Sequence, residues 1–564
     1  MKRHVSLFLA LSFLFSCAAC KKSDPDETNK SDPTAPTEQT EKNGSDPGTE
    51  DSGDAHTTDA SSDPATESTA ETSAEPEDPL VFHDLTYLPV TIENDYDYFI
   101  TGPVTYISHD EFDYGETWRS TDYPSLLVSC DSFSFEGAEY AALEEKVNGI
   151  LLSNRQKMEE DYAQYKEKLK SRDMKFDEYN SFNASQKLCL FRADSEILSF
   201  YERRTYYYPD GDYSSVYEED AYSFYSDSLE PVRLDDVVTD RGALAELIKK
   251  YLQDNPDMIL GLIEPERVKS IITDGTIPFA LGYDGIYLFP DPINCGEIKV
   301  SAFAHPELFE MEFFEHTPKH FSLFDYEKNE QSNNFIAYNE FNIDEGIYWD
   351  FNGDGVVDVL RSIVTDSDSK LVLGDHGVSF GNGLDIYIQM VFVETDAGQF
   401  VYVGLGEPNM ECFRIEKDLT ITRLTIESGL NLNPSSFSRC RMIDPDRFTN
   451  YEDLFFHSDE NSTISSWGAN AYCQASIGAD GIVSKDEGFY RPLYYNCIIE
   501  DEISGKEYDI ETGNAGNTVT VSAGDYVAIE WFDAVNGKLL LRVFTIDADA
   551  RRYVLVENVD TFEY

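Results

Sequence analysis

Basic residues are scarce in this chain. Lysine and arginine number 43 against 107 aspartates and glutamates, so the 564 residues carry a formal net charge of −64. A surface of that sign repels DNA, RNA and anionic lipid and attracts cationic proteins or metal ions, which argues against a nucleic-acid partner. Cysteine is sparse as well. Beyond residue 20 there are seven (Cys130, Cys189, Cys295, Cys412, Cys440, Cys473 and Cys497), an odd number with no C-x-x-C pair. That excludes a zinc ribbon and a dithiol redox motif, and predicts buried free thiols for most of them. No H-E-x-x-H, Walker A or G-x-G-x-x-G sequence occurs. After residue 20 no apolar run reaches the roughly 18 residues of a membrane-spanning helix.

The chain opens on MKRHVSLFLALSFLFSCAAC, residues 1–20. Lys2 and Arg3 precede an apolar run that is too short to cross a bilayer as a mature helix. The run ends in LFSC, with Leu14 and Ser16 ahead of Cys17. This resembles a bacterial lipoprotein signal, where a small residue before the cysteine suits the peptidase and the thiol takes a diacylglycerol. Cys20 is the alternative acceptor, and a plain secretory signal cut nearby is the other reading. The expected place is therefore the outer face of a bacterial cell membrane, reached through a lipid anchor. Residues 21–79 contain Ser, Thr, Asp, Glu, Pro and Ala but no large apolar side chain. Such a segment cannot bury enough surface to offset chain entropy, and is expected to be a disordered stalk.

Two folded regions are expected beyond the stalk. In the first, 80–321, the stretch 139–170 carries Leu143, Val147, Ile150 and Leu151 at helical spacing with a charged opposite face. Strand-like segments follow on both sides of PDGD (209–212), whose Asp-Gly suits a hairpin. LDDVVTDRGALAELIKKYLQDNP then reads as an acid-capped helix. FALGYDGIYLFPDP and GEIKVSAFAHPEL read as two further strands. Long helices beside an antiparallel sheet make this region α+β.

An early strand SLLVSCDSF precedes the charged helix, a Tyr-rich hairpin precedes SLEPVRLDDVV, and DGIYLF with VSAF closes the region. In this order the region resembles the extracytoplasmic domain of unknown function shared by lysozyme-sensing anti-sigma factors of the RsiV type. The same domain precedes the catalytic part of some peptidoglycan deacetylases. The chain departs from that pattern at DGDYSS, where the family carries a Gly and a His, and at PDPINC, although Gly296 is retained. The resemblance implies a binding or sensing module of the cell envelope, facing peptidoglycan or a cationic wall-active protein.

The second region, 322–564, alternates or runs apolar through LDIYIQMVFVET, QFVYVGLG, TITRLTIE, TVTVSAGDYVAIEWFD and KLLLRVF, with Gly, Asn and Asp between. It is expected to be all-β, a sandwich or barrel-like domain with no repeat of fixed period. Aromatics reach 13%, with 35 Tyr and 36 Phe, enough both to fill cores and to leave rings that stack on sugars.

At the front of this region stands YWDFNGDGVVDVLRSIV. Asp350, Asn352, Asp354, the carbonyl of Val356 and Asp358 have the spacing of a calcium loop. Arg361 takes the place where an EF-hand needs a bidentate Glu, and the flanks read as strands. The pattern resembles the calcium loops of FG-GAP-type β proteins, which repeat the loop where this chain has it once, and also strand-leading acidic turns that need bind no metal; these five positions are a candidate structural calcium site. GVSFG (377–381) matches the nucleophile elbow, but a β-branched stretch follows in place of the required helix, so a hairpin is expected there. His316 and His320 are spaced H-x-x-x-H around Pro318, which breaks the helix that would align them, and are expected on a linker between the regions.

The sequence thus points to an anchored lipoprotein with a non-catalytic binding or sensing role. A wall-glycan hydrolase or esterase is the alternative, and a solute-binding lipoprotein a lower one.

Overall fold

A computed structural model describes residues 85–100, 125–171, 182–208, 216–255, 264–290, 297–328, 340–365, 368–380, 387–404, 410–424, 442, 444–458, 468–485, 488–492, 496–499, 502–510, 512–523, 525–544 and 551–563. All of them fall within one compact unit, Ala74–Tyr564. Cys17, Cys20, the 21–79 segment and the PDGD turn lie outside the described residues. No described helix is long and apolar enough to cross a membrane.

The first sheet is mixed, in the order β1 (Val90–Ile100), β2 (Ser125–Phe135), β3 (Phe182–Ala193), β4 (Ile197–Tyr207) and β5 (Val216–Tyr225). β2 and β3 run parallel because the long helix α1 (Ala141–Ser171) carries the chain between them. Leu143, Val147 and Leu151, then Met158, Tyr162 and Tyr165, form one buried stripe on α1 and lie against the sheet. The expected helix is therefore present, with its stripe extended to Tyr165, about four turns further. β4 and β5 pair from Ile197↔Tyr225 to Tyr206↔Val216.

A single helical turn, Leu234–Val237, leads to α2 (Arg241–Asp254), capped by Asp240 Oδ1, which accepts from Ala243 N at 2.9 Å. After α3 (Pro265–Thr273) come β6 (Phe279–Leu281), β7 (Gly285–Leu288), β8 (Glu297–Ser301), β9 (Phe321–Lys328) and β10 (Glu340–Asn342). The stretch expected as one strand at FALGYDGIYLF is a tight hairpin. Gly285 lets β8 lie close beside β7, since a Cβ there would meet Val300 O at 2.1 Å. The second sheet has the order β10-β8-β7-β6.

β11 (Ile347–Trp349), β12 (Asp358–Thr365), β13 (Asp368–Leu373) and β14 (His376–Phe380) form an antiparallel meander. β15 (Tyr387–Thr395), β16 (Gly398–Gly404), β17 (Met410–Ile415) and β18 (Ile421–Leu424) join β9 in a fourth sheet, β18-β17-β16-β15-β9. Both faces of this sheet are buried. Met390, Phe392, Val401, Val403 and Phe413 enter the largest core, while Val391, Val393, Phe400, Tyr402 and Cys412 enter another. That two-sided burial is why MVFV and FVYV are continuously apolar and do not alternate.

The last sheet is built from β19 (Phe448–Ser458), β20 (Gly468–Ile477), β21 (Val483–Lys485), β22 (Phe489–Pro492), β23 (Asn496–Ile498), β24 (Ile503–Asp509), β25 (Asn514–Val521), β26 (Tyr526–Asp533), β27 (Lys538–Phe544), β28 (Arg551–Glu557) and β29 (Val559–Glu563). Its path runs openly from β25 to β29 without closing into a barrel. The architecture is thus a helix-backed mixed sheet followed by antiparallel sheets, in agreement with an α+β region before an all-β one.

The largest core draws on both sides of residue 321, from Ile197 to Ile421, and Phe321 itself is fully buried within it. The segment expected to be a linker is consequently packed. Phe314 is buried, Pro318 bridges Leu85, and His316 and His320 face Glu196 and Asp446 at 3.8 and 2.5 Å. Cysteine 189 also departs from expectation. It is disulfide-bonded, whereas Cys130, Cys412 and Cys473 are buried free thiols.

Candidate functional site

The first sheet has two unlike faces. Toward α1, Ala184, Gln186 and Leu188 alternate with their neighbours on β3, and Phe200, Glu202, Arg204 and Tyr206 do so on β4. In the middle of this face the apolar packing is interrupted by charge. Glu202, fully buried, accepts from Asn154 Nδ2 at 2.6 Å and from Gln186 Nε2, and pairs with Arg204 Nη1 at 2.8 Å. Arg204 also reaches Asp220 at 2.7 Å and Glu218 at 3.2 Å on β5. One apolar cluster lies on each side of this seam. Burial there pushes the Tyr206 and Tyr222 phenols up to about 12.

The opposite face is covered at one end and becomes exposed at the other, toward Tyr207. Tyr207 is 37% exposed, and its hydroxyl lies 3.5 Å from that of Tyr217. Next along the strands, Arg203 Nε donates to Glu219 Oε1 at 2.9 Å and stands over the Tyr217 ring at 6.0 Å. Tyr201 then stacks on Phe289 at 4.3 Å, where the second sheet begins to cover this face. β5 is an edge strand and carries Glu218, Glu219 and Asp220 in succession. The carboxylates of Glu218 and Asp220 are each 43% exposed.

Behind the covered end lies a pair the sequence did not single out. Lys299 and Asp284 are both buried, with Nζ 2.6 Å from the carboxylate. Nζ also donates to Phe324 O at 2.7 Å, and Asp284 accepts from the Tyr287 hydroxyl at 2.9 Å. The adjoining cavity, lined by Tyr283, Asp284, Tyr287 and Ser322 among others, is about 10 Å³, room for a water and nothing larger. The alternation E-I-K-V-S was the available signal. It marks a polar strand face, but not that a second layer would cover it.

The acidic loop is a turn anchored at its start. Trp349 and Phe351 are buried against Phe321 and Phe392, at 4.7 and 4.9 Å, and Asp350 sits between them. Asp350 accepts from the amides of Gly353, Asp354 and Gly355 at 2.8, 3.1 and 2.7 Å. Asn352 and Asp354 accept from the amides of Asp354 and Val356, each at 2.8 Å. Gly353 and Gly355 hold φ of 76° and 83°, a conformation that favours glycine. Asp358 opens β12, and its Oδ2 is buried with no hydrogen-bond partner. Burial, then the charges of Asp354 and Asp350, raise its carboxyl above the ordinary aspartate range. Among the described residues no group of three His, Cys, Asp or Glu is gathered around one point. Ser379 of the G-x-S-x-G match lies exposed on β14, within a hairpin with β13.

No protein-family model and no curated protein matches the chain. Among the solved structures that match are two of one family. A member of the DUF3298 family from Bacteroides fragilis is 14% identical, with a TM-score of 0.27, over 40% of this chain and 98% of that one. A DUF3298 family protein from Pseudomonas aeruginosa is 12% identical, with a TM-score of 0.25, over 40% of this chain and 97% of that one.

Proposed function

We propose that this chain is a surface lipoprotein, lipidated at Cys17 or alternatively Cys20. Its folded part binds, without catalysis, a cationic wall-active protein or peptidoglycan at the bacterial cell envelope. The observation that supports this reading is the edge of the β4–β5 ribbon, which carries Tyr207, Tyr217 and Arg203 on one face and the half-exposed carboxylates of Glu218 and Asp220 on the other. Aromatic rings supply contact area at small entropic cost, and the flanking acids favour a basic partner. Acidic side chains on an edge strand also keep it from pairing with another chain.

The test is retention of the full-length protein on purified peptidoglycan and on an immobilised cationic lysozyme, at low and moderate salt. Binding is expected to weaken with salt, and the pair Glu218→Gln with Asp220→Asn to weaken it by about tenfold. Absence of retention on either matrix at both salts would sink the reading.

The loop 350–358 would hold one structural calcium ion if its carboxylates closed around it: they are not gathered around one point here, and the Asp358 oxygen without a hydrogen-bond partner is the acceptor left open to a cation. The ion would cross-link the turn to the start of β12. Calcium is expected to raise the thermal midpoint relative to chelator, and Asp358→Asn to remove that rise. Equal midpoints in calcium and chelator would remove the metal from the account.

A further inference from the structure

The last sheet carries a half-buried aromatic cluster, with Phe489 exposed at its margin, that the reading above does not use. One face of its β26-β27-β28 strands forms a core through Ile529, Phe532, Leu539, Leu541, Val554 and Val556. On the other face the register sets Trp531 beside Leu540, Leu540 beside Leu555, and Leu555 beside Lys506. Leu540 and Leu555 are 0% and 6% exposed although they stand on this outer side. The reason lies above them. Trp531 and Tyr508 project from strands on the two sides of that leucine pair, and their rings meet edge to face at 6.2 Å. The register of β26 against β27 shifts between Ile529 and Trp531, while β24 stays in step with β28 through Tyr508↔Tyr553. Phe489 then continues the surface, 5.7 Å from Trp531 and 47% exposed. Val535, 71% exposed, lies at the same end of the patch.

A patch of this kind on a soluble surface marks an interaction site. Its centre is ring faces, and its margin is polar. Asp533 is held by the amide and side chain of Asn536 at 3.0 and 2.7 Å, and Lys506 pairs with Glu557 at 2.6 Å. Two chains of net charge −64 repel each other, and anionic glycan or lipid is repelled likewise. The geometry points to a neutral polysaccharide as the occupant. Trp531 and Phe489 would stack on the apolar faces of hexopyranose rings, and the marginal carboxylates and amide would accept or donate hydrogen bonds to the sugar hydroxyls. This surface is distinct from the β4–β5 face, so the two proposals stand or fall separately.

Tryptophan emission of the full-length protein tests it, with cellohexaose and chitohexaose as probes and the polyanion polygalacturonate as the control. The chain holds four tryptophans, of which Trp349 is buried, so Trp531 should report. A saturable change with either neutral oligosaccharide is expected, with none from the polyanion. Trp531→Ala should abolish it. Phe489→Ala removes an exposed ring that holds no core residue down, and should weaken binding at least about tenfold, read by calorimetry. The proposal is overturned if neither neutral oligosaccharide binds, if Phe489→Ala binds as tightly as the parent, or if the patch proves to mediate self-association in sedimentation.

Discussion

Exchange of Lys299 for Met is expected to cost about 3–5 kcal/mol of folding free energy, because it leaves the buried Asp284 carboxylate without its cation. The partners left behind are inadequate. Asp284 keeps the Tyr287 hydroxyl at 2.9 Å, but one neutral donor does not offset a full charge at 4% exposure. Phe324 O also loses its donor. The control is the double variant Lys299→Met with Asp284→Asn, which removes both charges and keeps an acceptor for Tyr287. It should recover at least half of the loss in denaturant midpoint. A single variant within about 1 kcal/mol of the parent would show that water already reaches the pair.

The second large effect is a gain. Asp444 is largely buried, and burial raises its carboxyl to about 6, with Asp446 adding to the rise. The Asp446 amide, His320 and Arg447 act in the opposite direction without cancelling it. Tyr87 and Tyr283, whose own phenols are raised well above 10, face it from the first region. A carboxyl raised in the folded state binds its proton more tightly there than in the unfolded chain. Its stabilising contribution is therefore complete below about pH 4 and is lost as pH rises from about 4 to about 6. Asp444→Asn imitates the protonated form and keeps an oxygen for the Asp446 amide, which donates at 2.8 Å. At pH 7 the variant should be more stable by about 1–3 kcal/mol, and at pH 4 the gain should vanish. A gain independent of pH would refute the titration of Asp444 as its cause.

Much of this fold was legible where one physical signal decides. The stripe Leu143, Val147, Leu151 gave α1, whereas LDDVVTDRGALAELIKKYLQDNP, read as one acid-capped helix, is split into a turn and α2 with Asp240 as the cap. The continuous runs MVFV and FVYV gave strands, but they read simply as apolar; that two different cores need them emerges only when β19 and β20 lie on one side and β12 and β13 on the other. The site was harder to read. Asp350 and its glycines were evident as a turn, since each local bond is made within six residues. The Glu202–Asn154 contact, the Lys299–Asp284 pair and the Trp531–Tyr508 contact join residues 48, 15 and 23 positions apart only through tertiary register, and local pattern carries no trace of that. The linker expected at His316–His320 failed for the same reason. Pro318 correctly excluded a helix, yet nothing local indicated that Phe314 and Phe321 would both be buried around it.

The fourth sheet has a consequence for how the molecule comes apart. Its strands wall the central core with one face and the core beneath β19 and β20 with the other. Melting either core would strip one side from strands the other core depends on. The halves are therefore coupled in unfolding, and a ligand that stabilises one end lends part of its binding energy to the persistence of the other.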